Sequence, residues 1–478
     1  MERSTYLKII SALFMAEIAA TFESAMLYAA LPTLINEFGD PITAGWLVTT
    51  HMLIGAAAGV LVGRIGDIKG RKTVMQWMLV VATIGSILSA VTDNFGIVLA
   101  GRALQGFSVA VIPLSIGIIR EALPRERVPV AVGLMTTGSG VGVAIGLVLG
   151  GVIVDNINWH ALFVVSAILL ALSWLACHFW VPGKPGIPPK TPIDWVEGLL
   201  PAPGIMAMLY GVSQSKALGW ADPQVWGAIA IGALVMAYWA RRSLRAVEPF
   251  VDLRLLTTRN VAIANLLTIC LGLGTMQVVL VFSTFTQSPV WTMAGLGLSA
   301  TVAGIAKLPS NVLSFFAGPL SGWLTATVGD RRTVVIGTLL ATLGWLFAML
   351  LPSSLIQVIA ILCVVSFGTT ILNAAVYNVI VAAVPEARTG EAIGTIAVTR
   401  GMASAIGAQI IAVLLATATL TAPDTGAQLP SPEGFRLTMG WIAGLTALGT
   451  VLALFLRPHR KVAEDTERAA REQAASEA

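Results

Sequence analysis

The chain has 478 residues, 56% of them hydrophobic and 11% charged, with a formal net charge of +4. A soluble globular domain carries roughly 45–50% apolar and about 25% charged residues, so water is excluded as the main solvent of this chain. The small basic excess is spread over helix ends, which argues against a nucleic-acid partner.

In chain order, the first apolar run starts near Leu7 and contains Glu17 and Glu23. It is too long for a signal peptide and lacks a small-residue cleavage site, so it is expected to stay as a membrane span. Runs of the roughly 20 residues needed to cross a bilayer recur as far as Phe455. Basic residues fall in alternate breaks: Arg64, Lys69, Arg71 and Lys72, then Arg125 and Arg127, Lys184 and Lys190, Arg241 to Arg259, Arg331 and Arg332, Arg388, and Arg457 to Lys461. The breaks between them lack Lys and Arg, with Lys216 the clear exception. This positive-inside pattern implies an all-α polytopic membrane protein of about fourteen helices, both termini cytoplasmic. A bacterial plasma (inner) membrane is the expected location. Cys177, Cys270 and Cys363 all lie inside apolar runs, where neither a disulfide nor a metal cluster is suggested.

The two halves look duplicated. "ALPRERVPVAVGLMTTGSGVGVAIG" can be laid on "AVPEARTGEAIGTIAVTRGMASAIG", matching Pro124 with Pro385, Arg127 with Arg388, Gly133 with Gly394 and Gly140 with Gly401. Upstream, Gly59, Gly63, Gly70 and Lys72 match Gly318, Gly322, Gly329 and Arg331 at an offset two residues shorter. Between the halves, "VPGKPGIPPKTPID" cannot propagate a helix, and two further apolar runs follow it. The expected organisation is a six-helix bundle over 1–181, a linker with two inserted helices over 182–258, a second six-helix bundle over 259–457, and a charged cytoplasmic tail over 458–478.

Several residues are polar where the surroundings are not. Arg102, Gln105 and Gly106 share one helix face at i, i+3 and i+4. A membrane arginine costs at least about 2.5 kcal/mol at mid-span unless it is paired or hydrated. Arg102 therefore needs a partner or water, or else snorkels to an interface. Lys307, Asn311 and Ser314 make a polar stripe, and Arg400 stands mid-span among Gly394, Gly401 and Gly407. Close helix packing explains those glycines but not the arginine. His51, Gln105, Lys307, Asn311, Asn373, Tyr377 and Arg400 are the candidate substrate-cavity residues. A carboxyl group in low dielectric favours its neutral form, and a nearby cation opposes this. Glu23, with Arg102 and Arg400, is accordingly the leading proton-coupling candidate, and Glu17, heading a stripe with Thr21, Ser24 and Tyr28, is its rival. His51 can be a titrating group or a satisfied core histidine.

"GRIGDIKGRKTV" resembles the loop signature between the second and third helices of the major facilitator superfamily, with Gly63, Asp67, Gly70, Arg71 and Lys72 in place. "VLAGRALQGFSVA" resembles its fourth-helix motif. "FESAMLYAALP" resembles the first-helix motif of the fourteen-helix drug:proton antiporter branch, Glu23 standing where aspartate is usual. Three positions depart from the pattern: Leu147 replaces a proline in the fifth-helix motif, Ala326 stands at the repeat of Asp67, and His51 replaces a tyrosine. The resemblance implies two bundles rocking about a central cavity. Asp67 and Arg71 would form a conformational latch, although topology alone also accounts for the basic residues.

The expected function is a proton-coupled exporter of amphipathic small molecules. The internal cations favour neutral or anionic solutes over cationic ones. No nucleotide motif is seen, so no cofactor is expected and the proton gradient is the energy source; the protein is expected to act as a monomer in the lipid bilayer. A proton symporter importing an organic acid, or a lipid transporter, fits the same fold. No H-E-x-x-H or G-x-S-x-G arrangement suggests an enzyme.

Overall fold

The computed structural model of the chain describes residues 3–124, 127–185, 195–246, 258–383, 389–423 and 426–457. Fourteen long helices account for most of them: α1 (Arg3–Phe38), α2 (Pro41–Lys69), α3 (Arg71–Ala90), α4 (Phe95–Ala122), α5 (Val128–Asn156), α6 (His160–Trp180), α7 (Pro201–Leu218), α8 (Pro223–Arg245), α9 (Arg259–Gln287), α10 (Ala300–Val328), α11 (Asp330–Ala348), α12 (Leu355–Ala383), α13 (Thr389–Thr417) and α14 (Pro432–Ala453). Thirteen are long and apolar enough to cross a membrane. The other is α7, 18 residues long, whose last turns carry Ser213, Gln214, Ser215 and Lys216. The two long helices that follow the proline-rich break are α7 and α8, and the helix count agrees with the roughly fourteen expected from the sequence.

Helix ends follow local chemistry. Asp40 caps α2, its Oδ1 accepting from the Ile42 and Thr43 amides at 2.8 and 3.1 Å, with Pro41 opening the first turn. Asn94 caps α4 in the same way, accepting from the Ile97 amide at 3.2 Å. Gly70 separates α2 from α3 with φ 91°, and Gly329 separates α10 from α11 with φ 89°. Only glycine adopts such angles without strain. These two residues are repeat partners in the sequence, so the duplication extends to backbone conformation.

The chain packs as two compact units, one of residues 1–242, 279–308 and 405–438, the other of 243–278, 309–404 and 439–478. In the first unit, Gly138, Gly142, Gly146 and Gly150 form an i, i+4 stripe on α5 that faces α1. A Cβ at Gly146 would come within 2.8 Å of Ala25, and one at Gly138 within 3.0 Å of the Phe14 ring. These glycines let the two backbones touch, the usual device where lipid removes the hydrophobic drive between helices. α3 and α4 cross at Gly85 and Gly101 in the same fashion. A short antiparallel pair, β1 (Thr419–Thr421) and β2 (Gln428–Pro430), pairs Thr419 with Pro430. The second unit has its core where Val261, Leu267, Val334, Leu372, Val376 and Ile396 meet. Phe315, Phe316, Leu350 and Ile356 stay more than half exposed, as expected of side chains facing lipid.

Candidate functional site

The α3–α4 crossing sets up the main polar site. With both backbones in contact, Arg102 and Gln105 on α4 come within reach of Ser86 on α3. Arg102 Nη1 donates to Gln105 Oε1 at 2.6 Å, Gln105 Nε2 donates to Ser86 Oγ at 2.8 Å, and Ser86 Oγ donates to Glu23 Oε1 at 2.9 Å. Ser166 on α6 adds a second donor to the same oxygen at 3.2 Å. Glu23, Ser86, Gln105 and Ser166 are completely buried, and Arg102 is 1% exposed. A continuous donor chain thus runs from guanidinium to carboxyl.

Arg102 does not touch the Glu23 carboxyl. Its Nε donates to the Leu47 carbonyl at 3.2 Å and its Nη1 approaches the Glu23 carbonyl at 3.5 Å. Backbone oxygens and an amide therefore hold the cation. Glu23 Oε2 has no hydrogen-bond partner. A protonated carboxyl tolerates that better than an ionised one, whose buried oxygens all seek donors.

Glu17 is separate. Six residues apart on a 3.6-residue helix, Glu17 and Glu23 point to different neighbours. Glu17 accepts from Ser139 on α5, and its Oε2 is also without a partner. His51 on α2 pairs through Nε2 with Ser24 Oγ at 3.0 Å, while its Nδ1 is buried and unpartnered. One ring nitrogen of His51 is therefore satisfied and one is not.

Of the proposed latch, Gly63 and Asp67 lie on α2, and the Asp67 side chain lies outside what the structure describes. Arg71 forms an ion pair with Glu121, at the end of α4, at 3.1 Å. Lys72 Nζ donates to the His178 carbonyl at 2.8 Å, and Gly70 makes the turn. Lys307 and Asn311 lie one turn apart on α10; Lys307 is buried, and Asn311 Nδ2 has no partner.

Arg400, in the second unit, lies over the Tyr377 ring at 4.8 Å. Its Nε and Nη2 are buried without partners, as is Asn373 Oδ1, one turn from Tyr377 on α12.

A further set of contacts within the first unit ties the earlier helices to residues 279–308 and 405–438. Asp155, at the end of α5, accepts from the Ala300 and Thr301 amides at 2.9 and 2.8 Å and from Thr301 Oγ1 at 2.6 Å, so it caps α10 from another helix. Beside it, a Cβ at Gly304 would come within 2.5 Å of the Leu147 backbone. Leu147, which stands where the fifth-helix motif usually has proline, thus lies in this contact. Gln287 Nε2 donates to the Ala29 carbonyl at 3.2 Å, and Thr49 Oγ1 donates to Gln409 Oε1 at 3.0 Å. Gln409 Nε2 in turn reaches Ser213 of α7 at 3.1 Å.

The sequence did not single out Ser86, Ser166, Ser139, Asp155, Glu121 or Gln409. Single serines are common in membrane helices, and their weight here comes only from their neighbours. Asp155 could have been suspected as the acid ending the fifth apolar run. Among the described residues, no three His, Cys, Asp or Glu side chains come together as a metal site.

A family model described as Major Facilitator Superfamily matches residues 13–314 and 273–477. The multidrug resistance protein B homolog of Mycobacterium tuberculosis is 29% identical over 338 residues, 69% of this chain and 61% of that protein. The uncharacterized MFS-type transporter YcnB of Bacillus subtilis is 22% identical over 460 residues, 95% of this chain and 96% of its own. Among solved structures, an auto-inhibited POT family peptide transporter superposes with a TM-score of 0.66 at 15% identity, covering 94% of this chain and 96% of that one.

Proposed function

The chain belongs to the major facilitator superfamily, and on that premise we propose that it is a proton-coupled exporter of amphipathic small molecules, of the fourteen-helix drug:proton antiporter branch. As a multi-pass transporter it has no need of enzymatic chemistry. The observation that carries the coupling is the buried Glu23 carboxyl, joined by Ser86 and Gln105 to Arg102. Gaining or losing a proton at Glu23 reverses what its oxygens require. The neutral acid has one O–H to donate, whereas the anion only accepts.

In the proposed cycle the repeats 1–181 and 259–457 rock against each other, with the 182–258 insertion peripheral. The contacts of Asp155, Gln287 and Gln409 hold shut the end of the bundle away from the chain termini. With the termini cytoplasmic, that end is the outer gate. Opening it separates α1 and α5 from α9 and α10 and changes the access of water to Glu23. The proton and the solute then cross in alternate half-cycles. The name of the 29%-identical relative supports a drug-like solute. Import of an organic acid with a proton is the second reading, favoured by the unpaired cationic edge of Arg400.

The test uses reconstituted vesicles with an imposed pH gradient, comparing wild type with Glu23→Gln. Export predicts solute movement against proton movement, abolished by a protonophore and by the substitution. Solute and protons moving together supports import. Flux unaffected by the gradient overturns proton coupling.

A further inference from the structure

Arg400 is an unusual cation for the inside of a membrane protein. Between Arg259 and Ala453 the acidic residues are Asp330, Glu386, Glu391, Asp424 and Glu433, and the three among the described residues, Asp330, Glu391 and Glu433, lie in first helical turns. Glu391 is nine residues from Arg400, about 13 Å along α13 at 1.5 Å per residue. Among the described residues of the second repeat, no carboxylate is therefore placed at mid-span to neutralise it.

The geometry around the guanidinium is selective. Tyr377 covers its face, with Cζ 4.8 Å from the ring centroid, a contact that holds the plane and excludes water. The two unpartnered nitrogens are Nε and Nη2. Their N–H bonds run parallel along one edge, the fork that takes both oxygens of a carboxylate. Leaving such donors buried and unfilled is unfavourable, so the arrangement is suited to an incoming anion.

Two unfilled acceptors belong to side chains anchored within a turn or two of Arg400 and Tyr377. Gln277, in the turn between the two parts of α9, donates through Nε2 to the carbonyls of Gly272 and Ser404, each at 2.9 Å. Ser404 is one turn from Arg400, and the Oε1 of Gln277 has no partner. Asn373 donates to the Thr369 carbonyl at 3.1 Å and leaves its Oδ1 unpartnered. Unfilled donors for an anion together with unfilled acceptors suit an acid that also carries an N–H or O–H.

We propose that the Nε–Nη2 edge of Arg400, backed by Tyr377 and with Gln277 and Asn373 anchored within a turn or two, is the docking point for the carboxylate of an amphipathic organic acid bearing a hydrogen-bond donor. This rests on the transporter reading and names its solute class. The second repeat grips the anion while the first carries the proton.

Equilibrium binding without any gradient tests this apart from transport. The full-length protein is placed in phosphatidylcholine nanodiscs, and ligand-induced thermal stabilisation is measured with N-acetyl-phenylalanine, its methyl ester and 3-phenylpropionate. The acid is expected to bind at least about tenfold more tightly than the ester, with phenylpropionate between them. Arg400→Gln and Arg400→Lys should both abolish the preference, because lysine keeps the charge but not the fork. Glu23→Gln should retain it. Equal binding of acid and ester, or a preference that survives both Arg400 variants, overturns the proposal even if vesicle flux is proton-driven. Loss of acid binding when phosphatidylserine is added would mark a lipid headgroup as the occupant and overturn it too. Selective acid binding without flux would instead uphold this site and reject the transport reading.

Discussion

Glu23 and Arg400 are both ionisable side chains set in apolar helices, one in each half of a duplicated chain. Glu23 sits at the end of a donor chain that runs through Ser86 and Gln105 to Arg102. Arg400 has a tyrosine against its face and two donors without acceptors. The offset that lays Gly140 on Gly401 also lays Ser139, the partner of Glu17, on Arg400. It lays Gly142, where α5 meets α1, on Ala403, where α13 meets Gly272 of α9. The same helix crossing was thus kept while its chemistry diverged. In the first half it holds an acid and a hydroxyl; in the second, an amide and a cation. A carboxyl already joined to a cation through the protein's own side chains suits a group that exchanges only a proton. An incomplete one suits a group whose partner arrives from outside.

The largest expected effect separates the two regions by function. A gradient of two pH units can support about a hundredfold accumulation per coupled proton. Glu23→Gln should remove that accumulation in vesicle uptake assays while sparing acid binding at Arg400. If both activities fall together, the division of labour is wrong.

Next in size is Gln105→Leu, which takes the side-chain acceptor from Arg102 and the donor from Ser86. A hydrogen bond to a charged group is worth about 1.5–3 kcal/mol, so denaturant unfolding in detergent should show a loss of that order. Asn373→Leu, which removes an unfilled acceptor and one bond to a carbonyl of its own helix, should cost less than Gln105→Leu in the same assay. A large loss there would mean that Asn373 is already satisfied.

Asp155→Ala is expected to weaken the cap on α10 by about 1 kcal/mol. The contact it loosens joins α5 to α10, so spin-label distances between the ends of those helices should shift toward the separated state. An unchanged distance distribution would make Asp155 a local cap and nothing more.

The smallest effect concerns the duplication itself. Gly70→Ala and Gly329→Ala each force a side chain onto φ near 90° and should each cost about 1 kcal/mol. Unequal losses, read as melting temperatures, would mean that the two turns are not held alike.

Much of this was legible in the sequence, for physical reasons. A bilayer imposes span length and loop charge on the chain, so helix number and order could be read directly. α7 was the least distinct because its polar end dilutes the apolar run. Glu23, Arg102 and Gln105 stood out because polar groups in lipid are costly and therefore conspicuous. Ser86 and Ser166 did not, since a serine can satisfy itself on its own helix and its sequence does not say when it reaches further. The pairing of Arg71 with Glu121 was also hidden, since Glu121 is fifty residues away in the chain. Asp155 capping α10 needs residues 146 apart in the chain to meet, which no local pattern records.

The central claim is that Glu23 gains and loses a proton inside the protein, and infrared difference spectroscopy across a pH titration tests it most directly. The wild-type spectrum should contain a carboxylic-acid carbonyl band that disappears as pH rises and is absent from Glu23→Gln. If the two proteins give the same difference spectrum, Glu23 does not titrate, and the coupling of solute to proton must be sought at Glu17 or abandoned.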